Sequence, residues 1–67
     1  MNWIPLSSSW LNAMAYEPDT QTLRIRFKDG YVATYGSVPQ TIADELENAP
    51  SPGAYFHQNI KDVLTEK

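Results

Sequence analysis

The sequence predicts an α+β fold, a three-stranded antiparallel β-meander followed by two α-helices packed on one face of the sheet, in a single domain covering residues 1–67. Three observations predict it. Leu23, Ile25 and Phe27 alternate with Arg24, Arg26 and Lys28 without a break, which is the period of a strand with one buried face. Asp29-Gly30 follows at once, a pair suited to a tight hairpin because positive backbone angles are cheap for glycine and tolerable for aspartate. After Gly36 the apolar spacing changes from two residues to that of a helix.

Each element follows in chain order. "NWIPL" is short and apolar, but Pro5 cannot donate to a ladder, so this reads as a lead-in or an edge segment. "SWLNAMAYE", residues 9–17, is the first full strand and stops at the turn pair Pro18-Asp19. "TLRIRFK" is the second strand, and "YVATY" returns from the Asp29-Gly30 turn as the third. Ser37 and Gln40 have the spacing of a capping box, with Pro39 in the first turn, where its missing N–H does no harm. Val38, Ile42, Leu46 and Ala49 then predict a helix from about 38 to 48. "APSPG" breaks it, and Ser51-Pro52 opens a second helix as N-cap and N1, with Phe56, Ile60, Val63 and Leu64 as its inward stripe. Both helices must lie on one face of the sheet to bury those stripes.

Length and composition bound the rest. A chain of 67 residues has room for one domain. At this size it buries only about 60% of its unfolded surface, so nearly every large apolar side chain is needed in the core. With 42% hydrophobic and 19% charged residues the chain is globular rather than disordered. Cysteine is absent, so packing holds the fold without disulfides or a thiolate zinc site. No secretory signal or membrane-spanning run is present, which makes the cytoplasm the expected location and a membrane an unexpected partner. A net charge of -3 repels nucleic acid at long range, so no DNA partner is expected and RNA would need a local positive patch. Arg24, Arg26 and Lys28 form that patch; the remaining cations, Lys61 and Lys67, sit near the carboxyl end.

The order of elements also resembles a known family. "SSSWLNAMAYE", "TLRIRFKDG", Tyr35 followed by Val38-Pro39, and "NAPSPGAYFHQNI" are similar to the KTSC domain. That module is named after the carboxyl-terminal extension of some lysyl-tRNA synthetases and also occurs alone in bacterial and phage proteins. The resemblance spans nearly the whole chain and implies a small α+β module of unassigned function, for which RNA binding has been suggested and no catalytic residues named. One departure is informative. The family typically carries Tyr-x-Tyr in its central strand, whereas this chain has Ala33-Thr34-Tyr35, so half of any such aromatic platform is missing.

What the basic stripe can do depends on hairpin register. With a two-residue loop, Arg24 faces Tyr35, Arg26 faces Ala33 and Lys28 faces Tyr31, giving one basic and aromatic face. With a three-residue loop and a glycine bulge, Phe27 pairs with Tyr31 and both tyrosines turn inward. The second register buries more apolar surface, which a domain this small needs, and is favoured. The stripe then solvates an open sheet face and discourages edge pairing. Three phosphate contacts would in any case give a salt slope of only about -2 on a single strand, and one stacked base adds roughly 1 to 3 kcal/mol.

Other constellations are weaker. A serine nucleophile among Ser7, Ser8 and Ser9 would need a base, and His57 is the one imidazole in the chain. The serines read as turn residues and His57 as a half-exposed helix residue. Asp44, Glu45 and Glu47 read as a solvated helix face rather than metal ligands. No catalytic, metal or cofactor site is expected, and the chain is expected not to be an enzyme. Trp3 and Trp10 differ, because indole is costly to expose and common among interface anchors. On a two-faced strand Trp10 and Leu11 point opposite ways, so Trp10 either packs on "NWIPL" or contacts another chain. The candidate binding residues are Arg24, Arg26, Lys28, Tyr35 and Trp10. A non-catalytic module binding a protein partner is the favoured function, and weak RNA binding through the basic stripe is the alternative.

Overall fold

The central strand behaves as its alternation requires. In the computed structural model, which describes residues 2–61, Leu23 and Ile25 are fully buried while Arg24 and Arg26 lie on the opposite face. The sheet has four antiparallel strands in sequence order: β1 (Ile4–Pro5), β2 (Leu11–Glu17), β3 (Thr22–Phe27) and β4 (Val32–Tyr35). The expected three-stranded meander is therefore extended by a two-residue edge strand, β1, with Ile4 opposite Met14 and Pro5 opposite Ala13. Proline is tolerated there because the strand is at the edge and needs few ladder donors. The Leu6 N–H bonds the Asn12 carbonyl at 3.1 Å and continues the pairing past Pro5.

The hairpin between β3 and β4 takes the three-residue loop. Phe27 N–H donates to the Tyr31 carbonyl at 2.8 Å and Gly30 N–H to the Phe27 carbonyl at 3.0 Å. Gly30 sits at φ +98°, the left-handed conformation that this bulged loop requires and that glycine adopts without a Cβ penalty. Asp29 steadies the turn by accepting the Tyr31 N–H on Oδ1 at 3.0 Å. Leu23 consequently faces Tyr35, Ile25 faces Ala33, and Arg26 faces Val32. Tyr35 turns inward as the burial argument favours, at 4% exposure, but Tyr31, at the sheet's end, remains 55% exposed.

The first long strand starts two residues later than its apolar content implies. Ser8 Oγ accepts the N–H groups of both Trp10 and Leu11 at 3.2 Å, a side-chain turn ahead of β2, while the Trp10 carbonyl still accepts the Lys28 N–H across the strands at 3.0 Å. A register shift between Leu11 and Ala13 then bulges β2 against β3.

Helix α1 (Gln40–Asn48) and helix α2 (Pro52–Phe56) follow, and α2 continues into a π-helical turn, His57–Lys61. The Ser37–Gln40 capping box does not form. Ser37 is left-handed at φ +57° and Pro39 takes the N-cap position with no side-chain cap. The chain instead turns so that Val38 N–H reaches the Gln21 carbonyl at 2.9 Å, tying the start of α1 to the β2–β3 turn. Ser51 is the N-cap of α2 and Pro52 its first residue, but the serine side chain makes no cap bond. The core joins Leu11, Met14, Leu23, Ile25 and Tyr35 of the sheet to Val38, Ala43, Leu46, Phe56 and Ile60 of the helical half. Val63 and Leu64 of the predicted stripe lie outside the described residues.

Candidate functional site

The sheet's two faces offer two surfaces of different chemistry. On the face away from the helices, Arg24 lies opposite Ala15 and Thr34, and Arg26 opposite Ala13 and Val32. Ala13 and Ala15, opposite Arg26 and Arg24, are buried on this face. Strand alternation puts Trp3 on this face too, and the Arg26 guanidinium lies 4.6 Å from the Trp3 ring centroid, a cation–π contact. Arg26 Nε also donates to Asn12 Oδ1 at 3.3 Å. Lys28 is exposed in the loop. The basic stripe is thus partly engaged in covering the sheet, and β1 brings Trp3, not Trp10, against it.

The helix-side face carries an aromatic cluster. Trp10 lies 5.6 Å from Phe27 and 5.5 Å from Phe56 between ring centroids, and Phe56 is edge-on both to Trp10 and to Tyr35, the latter at 6.0 Å. Phe27 also meets Tyr31 at 5.9 Å. These offset and edge-to-face arrangements are the favourable ones for rings with negative faces and positive edges. The chain allows Trp10 this close because residue 53 is glycine: a Cβ there would run into the Trp10 indole and come within 2.9 Å of Ser8 Oγ. Trp10 keeps 37% of its surface exposed. Beside it opens a pocket of about 500 Å³ lined by Trp10, Phe27, Tyr31, Ala33, Tyr35 and Phe56, with Asp29 and Lys61 also on its wall.

The candidate binding residues therefore do not form one site. Tyr35 lies on the face opposite Arg24, against Phe56, so the basic and aromatic groups do not combine into a platform; the three-residue loop separates them. Trp10 joins Tyr35 in the pocket instead. Trp10 turns to the helix side, against Phe27 and Phe56, rather than away from the helices as alternation with Leu11 implies. Phe27, Tyr31 and Phe56 complete the pocket and were read from sequence as core positions; the pairing of Phe27 with Tyr31 was the signal that could have drawn them together.

Several of the remaining polar groups have structural partners. The Ser8 hydroxyl oxygen serves two backbone donors, and His57 is exposed where α2 passes into the π-turn. Tyr55 donates to Glu45 at 2.6 Å and clasps α2 to α1; burial first, then the bond to Glu45 and its charge, push the phenol up to about 12. Tyr16 donates to the Val38 carbonyl, and burial followed by the nearby Asp44 charge raises its pKa. Asp44 and Glu47 border a second hollow with Tyr16 and Met14, so the acidic face of α1 is not wholly open surface. Among the described residues no helix is long and apolar enough to cross a membrane.

A four-stranded antiparallel sheet with two short helices on one face defines a small α+β module, and the comparisons with known proteins agree. The chain belongs to the KTSC domain family, whose model matches residues 7–63. It is similar to a lysine–tRNA ligase of Nostoc sp., at 51% identity over 53 residues that are 79% of this chain and 9% of the ligase. The chain thus spans about a tenth of the length of the curated ligases it matches. A protein of Stutzerimonas stutzeri is 34% identical over 61 residues, 91% of this chain and 86% of the relative. The crystal structure of a KTSC domain protein from Yersinia pestis superposes with a TM-score of 0.92 at 29% identity, covering 98% of this chain and 93% of the other.

Proposed function

We propose that this chain is a non-catalytic interaction module that binds a protein partner through the aromatic pocket beside Trp10. The observation that carries the reading is an indole 37% exposed at the mouth of a pocket walled by four further rings. Aromatic side chains set in pockets are the usual anchors of protein interfaces. An overall charge of -3 and the burial of Tyr35 away from Arg24 weigh against a nucleic-acid platform.

RNA contact through Arg24, Arg26 and Lys28 is the second reading, favoured by similarity to part of enzymes named lysine–tRNA ligases. Amide spectra of the labelled protein separate the two. Transfer RNA at low salt should leave the spectrum unchanged. A protease-sensitive lysate fraction should shift pocket amides in the parent and not in Trp10→Ala. Shifts on the arginine face that grow with tRNA and vanish as salt rises would reverse the assignment.

A further inference from the structure

Among the described residues, the edge of the sheet next to this pocket has no partner strand. The Phe27 N–H to Tyr31 carbonyl bond makes that a bonded pair, and antiparallel alternation makes Ile25–Ala33 and Leu23–Tyr35 bonded pairs as well. Arg26–Val32 and Arg24–Thr34 are then non-bonded pairs, so the N–H and C=O groups of Val32 and Thr34 point away from β3. No strand among the described residues pairs with them. Val32-Ala33-Thr34-Tyr35 carries no lysine or proline, and its four residues after the Gly30 bulge limit the edge to a short stretch of pairing. The pocket lies on the inner side of this same strand, with Ala33 and Tyr35 of β4 and the preceding Tyr31 in its wall. A strand added about 4.8 Å beyond β4 would direct alternate side chains over it.

We infer that β4 accepts an extended segment of a partner protein by strand addition, with one aromatic or branched aliphatic side chain entering the pocket. This rests on the protein-interaction reading and adds the docking mode and the chemistry of the occupant. Size decides between a segment and a second copy. A four-residue strand is roughly 13 Å long, so pairing along it is by itself well short of the about 800 Å² per partner that a standard interface between globular copies buries. An extended segment draws affinity from main-chain bonds and specificity from the pocket, so a short edge suffices. The pocket, about 500 Å³, is large enough for one bulky side chain. Asp29 and Lys61 on its wall offset each other, and the net charge of -3 favours a segment that is neutral or basic.

The test is a random seven-residue peptide library selected against the full chain, followed by synthesis of the winning peptide. Winners should share an apolar residue flanked by uncharged or basic ones. The synthetic peptide should slow hydrogen exchange of the Val32 and Thr34 amides at least tenfold, and Tyr31→Ala, at an exposed position, should weaken it at least tenfold. Methylating the peptide's alternate backbone nitrogens on its bonding edge should abolish binding. A winner that protects other amides, or that tolerates such methylation, overturns strand addition while leaving the interaction reading intact. So does a selection with no winner, since that reading stands or falls on Trp10-dependent shifts with lysate protein. Concentration-dependent protection of Val32 and Thr34 without peptide would assign the edge to a second copy and overturn the inference.

Discussion

The indole of Trp10 occupies the space that a side chain at position 53 would need. Glycine here trades helix propensity for contact: alanine in the first turn of α2 would favour the helix by up to about 1 kcal/mol, but its methyl would displace the ring from Phe27 and Phe56. Overpacking of this kind costs about 1–3 kcal/mol, so contact should win. Gly53→Ala should lower the denaturation midpoint and shift tryptophan emission to the red; a stabilised variant would show that Trp10 swings aside without loss.

Phe56 meets Trp10, Phe27 and Tyr35, and is fully buried. Truncation to alanine should cost about 3–5 kcal/mol, a large share of the stability of a domain this size at roughly 0.05–0.15 kcal/mol per residue. Chemical denaturation should find the midpoint of Phe56→Ala far below that of the parent, whereas Trp10→Ala, already partly exposed, should show a smaller loss.

On the opposite face, Arg26 and Trp3 should be energetically coupled. A double-mutant cycle with Arg26→Gln and Trp3→Ala should return about 0.5–1 kcal/mol, the range for an exposed cation–π pair. A coupling of zero would mean that the guanidinium serves that face through Asn12 rather than through the Trp3 ring.

Tyr55 gives the fold an alkaline limit. Its pKa in the folded chain is pushed up to about 12, against an unfolded value near 10. Between these values the folded state holds the proton that the unfolded state has lost, so stability falls as pH rises through this window and is intact below it. Tyr55→Phe should lose part of the α1–α2 clasp at neutral pH, yet decline less steeply than the parent from about pH 10 to 12. Denaturant midpoints of both proteins across that range check it.

Much of this fold was legible in the sequence, for identifiable reasons. The alternation of residues 22–28 placed β3 and its two faces, because period two admits one burial pattern. The loop was decided by apolar area: only the glycine-bulged register brings Ala33 and Tyr35 inside together. The capping box at Ser37 failed because it weighs local partners alone, and the bond between Val38 and Gln21 joins groups distant in sequence. Trp10 was misplaced for a similar reason. Strand periodicity does not foresee the Ser8 turn that takes the Trp10 N–H or the bulge between Leu11 and Ala13. The pocket was not legible, since it depends on where α2 meets the sheet and on a glycine whose role is visible only with the indole beside it.

The sequential order of the sheet also bears on how the chain reaches this state. Each strand pairs with its neighbour in the chain, so successive hairpins can zip with little loop-closure entropy. The approach of Phe56 to Trp10 closes a much longer loop, across the whole meander and α1. If that closure comes after the rate-limiting step, truncating Phe56 should leave refolding nearly as fast as in the parent and appear mainly as faster unfolding. The aromatic cluster would then act as the latch on a sheet already assembled, setting the lifetime of the native state more than the time needed to reach it.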